Sequence, residues 1–309
     1  MQTKIGFISS LLISLPLIAC GGGGGGSGGV SPTTSDFTNW SNVRANSTVV
    51  LEGVSQTAEY TADLNPERVT SYDVGSPVAG TTALATYGSD GILSGVTVDP
   101  ADGSSVSWSV ANGDSFYRPG SLFRYIAVVS GDGRSEAIAA DATRIGWEYQ
   151  TYGTWATGLN TGSGTVGTFS VGSSTPGKSI PLAGSASYSG SSGGRYVDPT
   201  GTPFFTRSAF NATADFAART VDVSTTGTAL YSDVRTFNTN DAGLNFNGQL
   251  TYAAGSNQIS GVVSSSDDTM SGKVNARFFG PRAQEVGGTF SLEQNSGDAA
   301  YAGSFGADR

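Results

Sequence analysis

From Phe210 to Phe216 the chain alternates without a break. Phe210, Ala212, Ala214 and Phe216 fall on one side, and Asn211, Thr213 and Asp215 on the other. A repeat of two is the side-chain period of a β-strand with one face buried and one face wet. The pattern recurs along the second half of the chain. Leu244, Phe246, Leu250 and Tyr252 oppose Asn245, Asn247, Gln249 and Thr251; Val274, Ala276 and Phe278 alternate with Asn275 and Arg277; Phe290 with Leu292 and Tyr301 with Phe305 continue it. Short strands at close spacing, joined by glycine-rich turns, predict an antiparallel barrel or sandwich. Closing such a sheet into a barrel removes its exposed edges. No long stretch has the 3.6-residue period of a helix; Ala137 to Arg144 has room for a helical turn or two. The expected class is all-β.

Composition bears on what such a chain can do. Charged residues are only 13% and hydrophobic ones 37%, with 45 glycines among 309 residues. Low charge with ample aromatic content argues against disorder. The formal charge is −9 and the lysines are only Lys4, Lys178 and Lys273, which argues against nucleic acid and anionic membrane surfaces as partners. The chain has no histidine. A Ser-His-Asp or Cys-His nucleophile system therefore cannot be built, and the common zinc sites lose their main nitrogen donor. No enzyme activity, cofactor or metal is expected.

Several motif matches dissolve on inspection. Gly190-Ser191-Ser192-Gly193-Gly194 fits the G-x-S-x-G pattern but lacks the strand-turn-helix setting and the histidine of a nucleophile elbow. Gly162, Gly164 and Gly167 fit a dinucleotide fingerprint with no amphipathic helix behind it. Asp99 and Asp102 read as a β-turn, and Asp267 and Asp268 as a solvated loop; neither pair has the spacing of a calcium loop.

The first twenty residues, MQTKIGFISSLLISLPLIAC, combine Lys4, an apolar run from Ile5 to Ile18, and the only cysteine. The run is too short to span a bilayer, which takes about 20 residues. Leu17-Ile18-Ala19-Cys20 resembles the lipobox of bacterial lipoproteins. That resemblance implies a signal peptide over residues 1–20, removal of it, and acylation of Cys20 as the lipid attachment point. Gly21 rather than Asp after the cysteine is compatible, by the same resemblance, with sorting to the outer membrane. Gly21 to Gly29 is GGGGGGSGG, a flexible tether. The tether is taken as residues 21–35.

Four segments resemble, in order, the transferrin-binding protein B family of Gram-negative surface lipoproteins. They are GWEYQTYGTW (Gly146 to Trp155), GTFSVGSSTPGKSIPLAGSASYSG (Gly167 to Gly190), SAFNATADFAARTVDVS (Ser208 to Ser224) and the closing stretch Phe278 to Arg309. The resemblance implies an N-terminal β-rich handle domain over residues 36–175, with strands around Val49, Leu84, Val96, Val106 and Val128. An eight-stranded antiparallel barrel over residues 176–309 follows. Full transferrin-binding protein B carries two such lobes and this chain has room for one, which brings it closer in size to factor H-binding protein. The function implied is a cell-surface, lipid-anchored, monomeric binding module for a host or environmental protein or an iron-related ligand. A small-solute or haem binder and a structural envelope lipoprotein are the alternatives.

Three groups of residues invite closer reading. Phe204-Phe205 and Phe116-Tyr117-Arg118-Pro119 have the aromatic and arginine character of interface anchors. Packing at the barrel mouth or the handle–barrel seam is the preferred reading. Glu285 is expected to cap or pair locally, and Gly287 and Gly288 to allow a bend or close strand approach.

Overall fold

The computed structural model describes residues 31–65, 67–119 and 124–309. The leader, Cys20 and the polyglycine run lie outside the described residues.

The described residues form two sheets. The first takes β1 (Thr33–Asp36), β2 (Ser47–Leu64), β3 (Glu67–Val74), β4 (Val78–Tyr87), β5 (Leu93–Asp99), β6 (Val106–Ser109), β7 (Ser115–Tyr117), β8 (Tyr125–Val129), β9 (Ser135–Ala140), β10 (Gln150–Thr157) and β11 (Ser163–Gly172). Its main path runs β6-β5-β4-β2-β11-β10-β9-β8-β7, with β1 and β3 also paired to β2. β1 is parallel to β2 in the register Thr33 to Ser47, so ordered pairing starts inside the segment taken as tether.

The second sheet takes β12 (Ser185–Val197), β13 (Pro203–Asp215), β14 (Thr220–Tyr231), β15 (Phe237–Asn240), β16 (Phe246–Thr251), β17 (Ile259–Ser265), β18 (Met270–Phe279), β19 (Glu285–Gln294) and β20 (Ala300–Asp308). Its order is β13-β12-β20-β19-β18-β17-β16-β14, and β13 pairs back to β14. Eight antiparallel strands thus close into a barrel, and β15 hangs on β14 outside the ring. The all-β reading and the eight-stranded barrel behind a β-rich handle both stand.

The helical expectation over Ala137 to Arg144 needs correction. Ala137 to Ala140 belong to β9, held between β8 and β10, and only Ala142–Ile145 is helical. Alanine's helix preference loses here to pairing on both edges and to burial of Ala137 in the handle core. Asp141 starts the helical turn by accepting from the Arg144 amide at 3.4 Å.

The inward faces of the barrel are those of the alternating pattern. Phe210 stacks on Phe305 at 4.1 Å between ring centroids, Phe246 lies 4.7 Å from Phe290, and Phe290 meets Tyr301 edge-on at 4.8 Å. The Tyr188 hydroxyl donates to the Ala283 carbonyl at 2.7 Å, which satisfies its polar tip inside the core. An eight-stranded barrel is just wide enough for side chains to fill. These rings fill it, each contributing roughly 1.5–3 kcal/mol by burial.

The outward face of β19 and β20 is equally dry, because the handle covers it. Thr289, Ala302 and Ser304 point away from the barrel core and are nonetheless buried. Small residues let the two sheets approach: a Cβ on Gly306 would sit 2.7 Å from the Trp147 ring, and one on Gly287 would sit 2.0 Å from Gln150 Oε1.

Candidate functional site at the handle–barrel junction

The junction is built from groups distant in sequence. Glu285, the first residue of β19, accepts from the Glu148 amide at 2.7 Å and from the Tyr149 amide at 3.2 Å. Next to it, Gln150 Nε2 donates to the carbonyls of Val286 at 2.9 Å and Ala307 at 3.1 Å, bridging two barrel strands from the handle. Trp147 Nε1 donates to Asp308 at 3.2 Å, and the Ser304 hydroxyl to the Gly153 carbonyl at 2.8 Å. Burial pushes the Glu285 carboxyl up to about 7, with a smaller contribution from the Asp308 charge, while the Glu148 and Tyr149 amides pull the other way. Glu285 therefore does not cap or pair locally, as expected from sequence; it reaches across to the handle backbone. Gly287 has the close-approach role expected of it, against Gln150 and Ser170.

Further along the same seam, Arg195 of β12 is fully buried and donates to Glu136 of β9 at 2.8 Å. Its guanidinium lies 4.2 Å from the Phe205 ring centroid, a cation–π contact shielded from water. Phe205 is thus packed in the seam, and Phe204 lies beside Tyr196 with centroids 6.4 Å apart. Phe116 packs against the handle core, and Arg118 pairs with Asp141. Phe204 and Phe205 pack at the barrel and the seam as expected, whereas Phe116 and Arg118 lie within the handle, away from both, with the Arg118 side chain about half exposed.

Beside the seam lies an open cleft of about 790 Å³ between β8–β10 of the handle and β12–β14 of the barrel. Its walls include Trp147, Tyr152, Tyr231 and Arg207, and its floor is the Ser189 to Gly194 run. The Tyr152 and Ser191 hydroxyls are 2.8 Å apart. Arg207 lies 5.1 Å from the Tyr231 ring centroid and donates to the Val234 carbonyl at 3.0 Å. The Gly190–Gly194 motif is therefore strand β12 at the cleft floor, paired on both sides to β13 and β20, with no turn into a helix. The cleft offers stacking faces, hydroxyls and a guanidinium.

The remaining candidates are structural. Asp102 accepts from the Ser104 amide at 3.0 Å in its own turn, and Asp267 from the Thr269 amide at 3.1 Å. Gly164 and Gly167 sit in β11 against Tyr60 and Trp155, where a Cβ would clash with either ring. Among the described residues no group of three or more His, Cys, Asp or Glu could hold a metal ion, and no helix is long and apolar enough to cross a membrane.

The described residues thus form a handle-and-barrel lobe. Residues 180–309 match the family of C-lobe and N-lobe beta barrels of Tf-binding protein B. The barrel, from residue 180 to 309, is thus similar to the barrels of that family. Among solved structures, a mutant of transferrin-binding protein B from Haemophilus parasuis Hp5 is similar, with 16% identity and a TM-score of 0.44 over 78% of this chain and 47% of that one. The chain thus spans about half the length of that relative. The isotype 1 protein from serogroup B Neisseria meningitidis gives 16% identity and a TM-score of 0.39, covering 76% of this chain and 53% of that one. A structure described as a surface lipoprotein gives 13% identity and a TM-score of 0.41, covering 82% and 98%. No curated protein sequence matches the chain.

Proposed function

We propose that this chain is a lipid-anchored surface protein of the bacterial outer membrane that binds a macromolecular partner without chemistry. In this reading residues 1–20 direct export, Cys20 carries the acyl chains, and residues 21–35 form the tether, ordering near their end. Residues 36–175 and 176–309 act together as one monomeric lobe. The observation that carries the reading is the family match of residues 180–309 to barrels of a protein named for binding transferrin. The filled barrel core supports it further: with Phe210, Phe246, Phe290 and Phe305 occupying the interior, recognition falls to the outer surface and the loops. Phe237, about half exposed on β15 and edge-on to Tyr231, is an aromatic placed to anchor such a contact.

The test has two arms. Full-length protein and its Cys20→Ala variant are expressed in a Gram-negative host with labelled palmitate. Label on the first and not the second, with protease shaving of the first on intact cells, supports the anchor and its display. Purified transferrin, iron-loaded and iron-free, and then whole serum, are passed over the displaying cells. Saturable one-to-one retention of one protein supports the binding role, and iron dependence would assign it to iron acquisition. No label at Cys20, or no retained protein, counts against the reading.

A further inference from the structure

The handle sheet curls on itself but does not close. β6 and β7 follow one another in the chain yet stand at opposite ends of the sheet. They meet at one corner, where Ser109 and Asp114 exchange bonds: the Asp114 amide donates to the Ser109 carbonyl at 3.2 Å, and the Ser109 amide to the Asp114 carboxylate at 2.8 Å. Inside the curl is a cavity of about 370 Å³. Its apolar lining includes Leu51, Val98, Val128, Phe169 and Val171, all buried. That volume lies at the small end of ligand pockets, which run from about 300 to 1,000 Å³.

Polar groups on the lining are few and gathered. Asp141 is buried, and Arg118 grips it with two bonds, at 2.5 and 2.7 Å. Arg144 approaches the same carboxylate at 3.3 Å. Two guanidiniums thus share one carboxylate, leaving a net positive charge on a chain whose formal charge is −9. Burial opposes ionisation of Asp141, but the bonds from Arg118 and Thr143 outweigh it and hold the carboxyl below its usual range, so the carboxylate is charged at neutral pH. Tyr87, also on the lining, is pushed up to about 12 by burial and stays neutral. The Arg118 side chain is about half exposed while its Asp141 partner is not, so the cation faces outward.

An apolar cavity with one outward cation fits an amphipathic anion. We propose that the handle cavity binds a medium-chain fatty carboxylate, with the tail among Leu51, Val98, Val128 and Phe169 and the carboxylate on Arg118. This site is separate from the handle–barrel cleft and does not depend on the partner-binding reading.

Calorimetry on the chain from Gly21 onward, which contains every strand of both sheets, tests it. The probes are decanoate, decylammonium and decanol, each below its critical micelle concentration. Decanoate is expected to bind one to one, and decylammonium at least tenfold more weakly. Ala137→Leu, which fills the cavity from β9, should abolish decanoate binding with the melting transition retained. Arg118→Gln should weaken decanoate at least tenfold and leave decanol unchanged, a readout that holds even if Ala137→Leu fails to fold. No decanoate binding, equal binding of decanoate and decylammonium, or decanoate affinity unchanged by Arg118→Gln would overturn the proposal.

Discussion

Arg195 on the barrel and Glu136 on the handle form an ion pair of 2.8 Å in which the arginine is wholly buried and the glutamate nearly so. A pair this dry is costly to assemble and costlier to break, because removing one partner strands the other charge away from water. Glu136→Ala should therefore destabilise the protein by about 3–5 kcal/mol, and Arg195→Met by a similar amount. The double change to Met and Leu should recover most of the loss. Denaturant unfolding checks this; single-variant effects below about 1 kcal/mol would show that the pair is hydrated in solution.

The same pair predicts how the molecule unfolds. With Glu285, Gln150, Trp147 and Ser304 also bonding across the seam, handle and barrel should come apart in one transition. Tryptophan fluorescence reports mainly on the handle, since Trp40, Trp108, Trp147 and Trp155 all lie there. Far-ultraviolet dichroism reports on both sheets. Coincident midpoints are expected; separate midpoints would show two independent units.

Glu285 gives the seam a pH dependence of definite sign. Its folded carboxyl is raised from 4.5 to about 7 by burial. Between those values the folded state binds more protons than the unfolded one, so stability falls as pH rises through that window and levels off above about 7. The full contribution, present below about 4.5, is of order 3 kcal/mol. Glu285→Gln should flatten this slope. Melting temperatures at pH 5 and pH 8 for the two proteins decide it, and an unchanged slope in the variant would remove Glu285 as the source.

Gly287 tests the close approach of the sheets. A methyl there would meet Gln150 Oε1 and Ser170 Oγ at 2.0 and 2.4 Å. Gly287→Ala should cost about 1–3 kcal/mol by overpacking. Gly297 sits in an exposed turn where added bulk meets nothing within 4 Å, but its φ of +80° favours glycine, so Gly297→Asn makes a control expected to cost little. Equal effects at the two positions would mean that the seam yields easily.

Much of this was legible in the residues. Alternation of apolar and polar side chains marks β13, β16, β18, β19 and β20, because a barrel wall has an inside and an outside. The filled core follows from the size of Phe210, Phe246, Phe290 and Phe305. Local pattern says little about partners far away. Glu285 looked like a local cap because nothing near it hints at amides 137 and 136 positions earlier. Arg195 stands in a Gly- and Ser-rich run, next to Gly194, where a charge normally meets solvent; only the handle folding over β12 buries it. Ala137 to Ala140 was ambiguous for a different reason, since alanine suits a helix and a tightly packed strand alike. The seam and the cleft arise where two sheets meet, which no single stretch of sequence encodes.

The proposed function is that of a tethered lobe holding a protein partner on its outer surface. The most direct measurement is retention of a serum protein by intact cells displaying the full-length chain, compared with Phe237→Ala and with Cys20→Ala. Saturable retention of one protein is expected. Binding should be weaker by more than about 1 kcal/mol for Phe237→Ala at unchanged melting temperature, as for an interface anchor. Cells carrying Cys20→Ala should retain none. Retention of nothing by the unaltered chain, or equal retention by cells carrying Cys20→Ala, would contradict it.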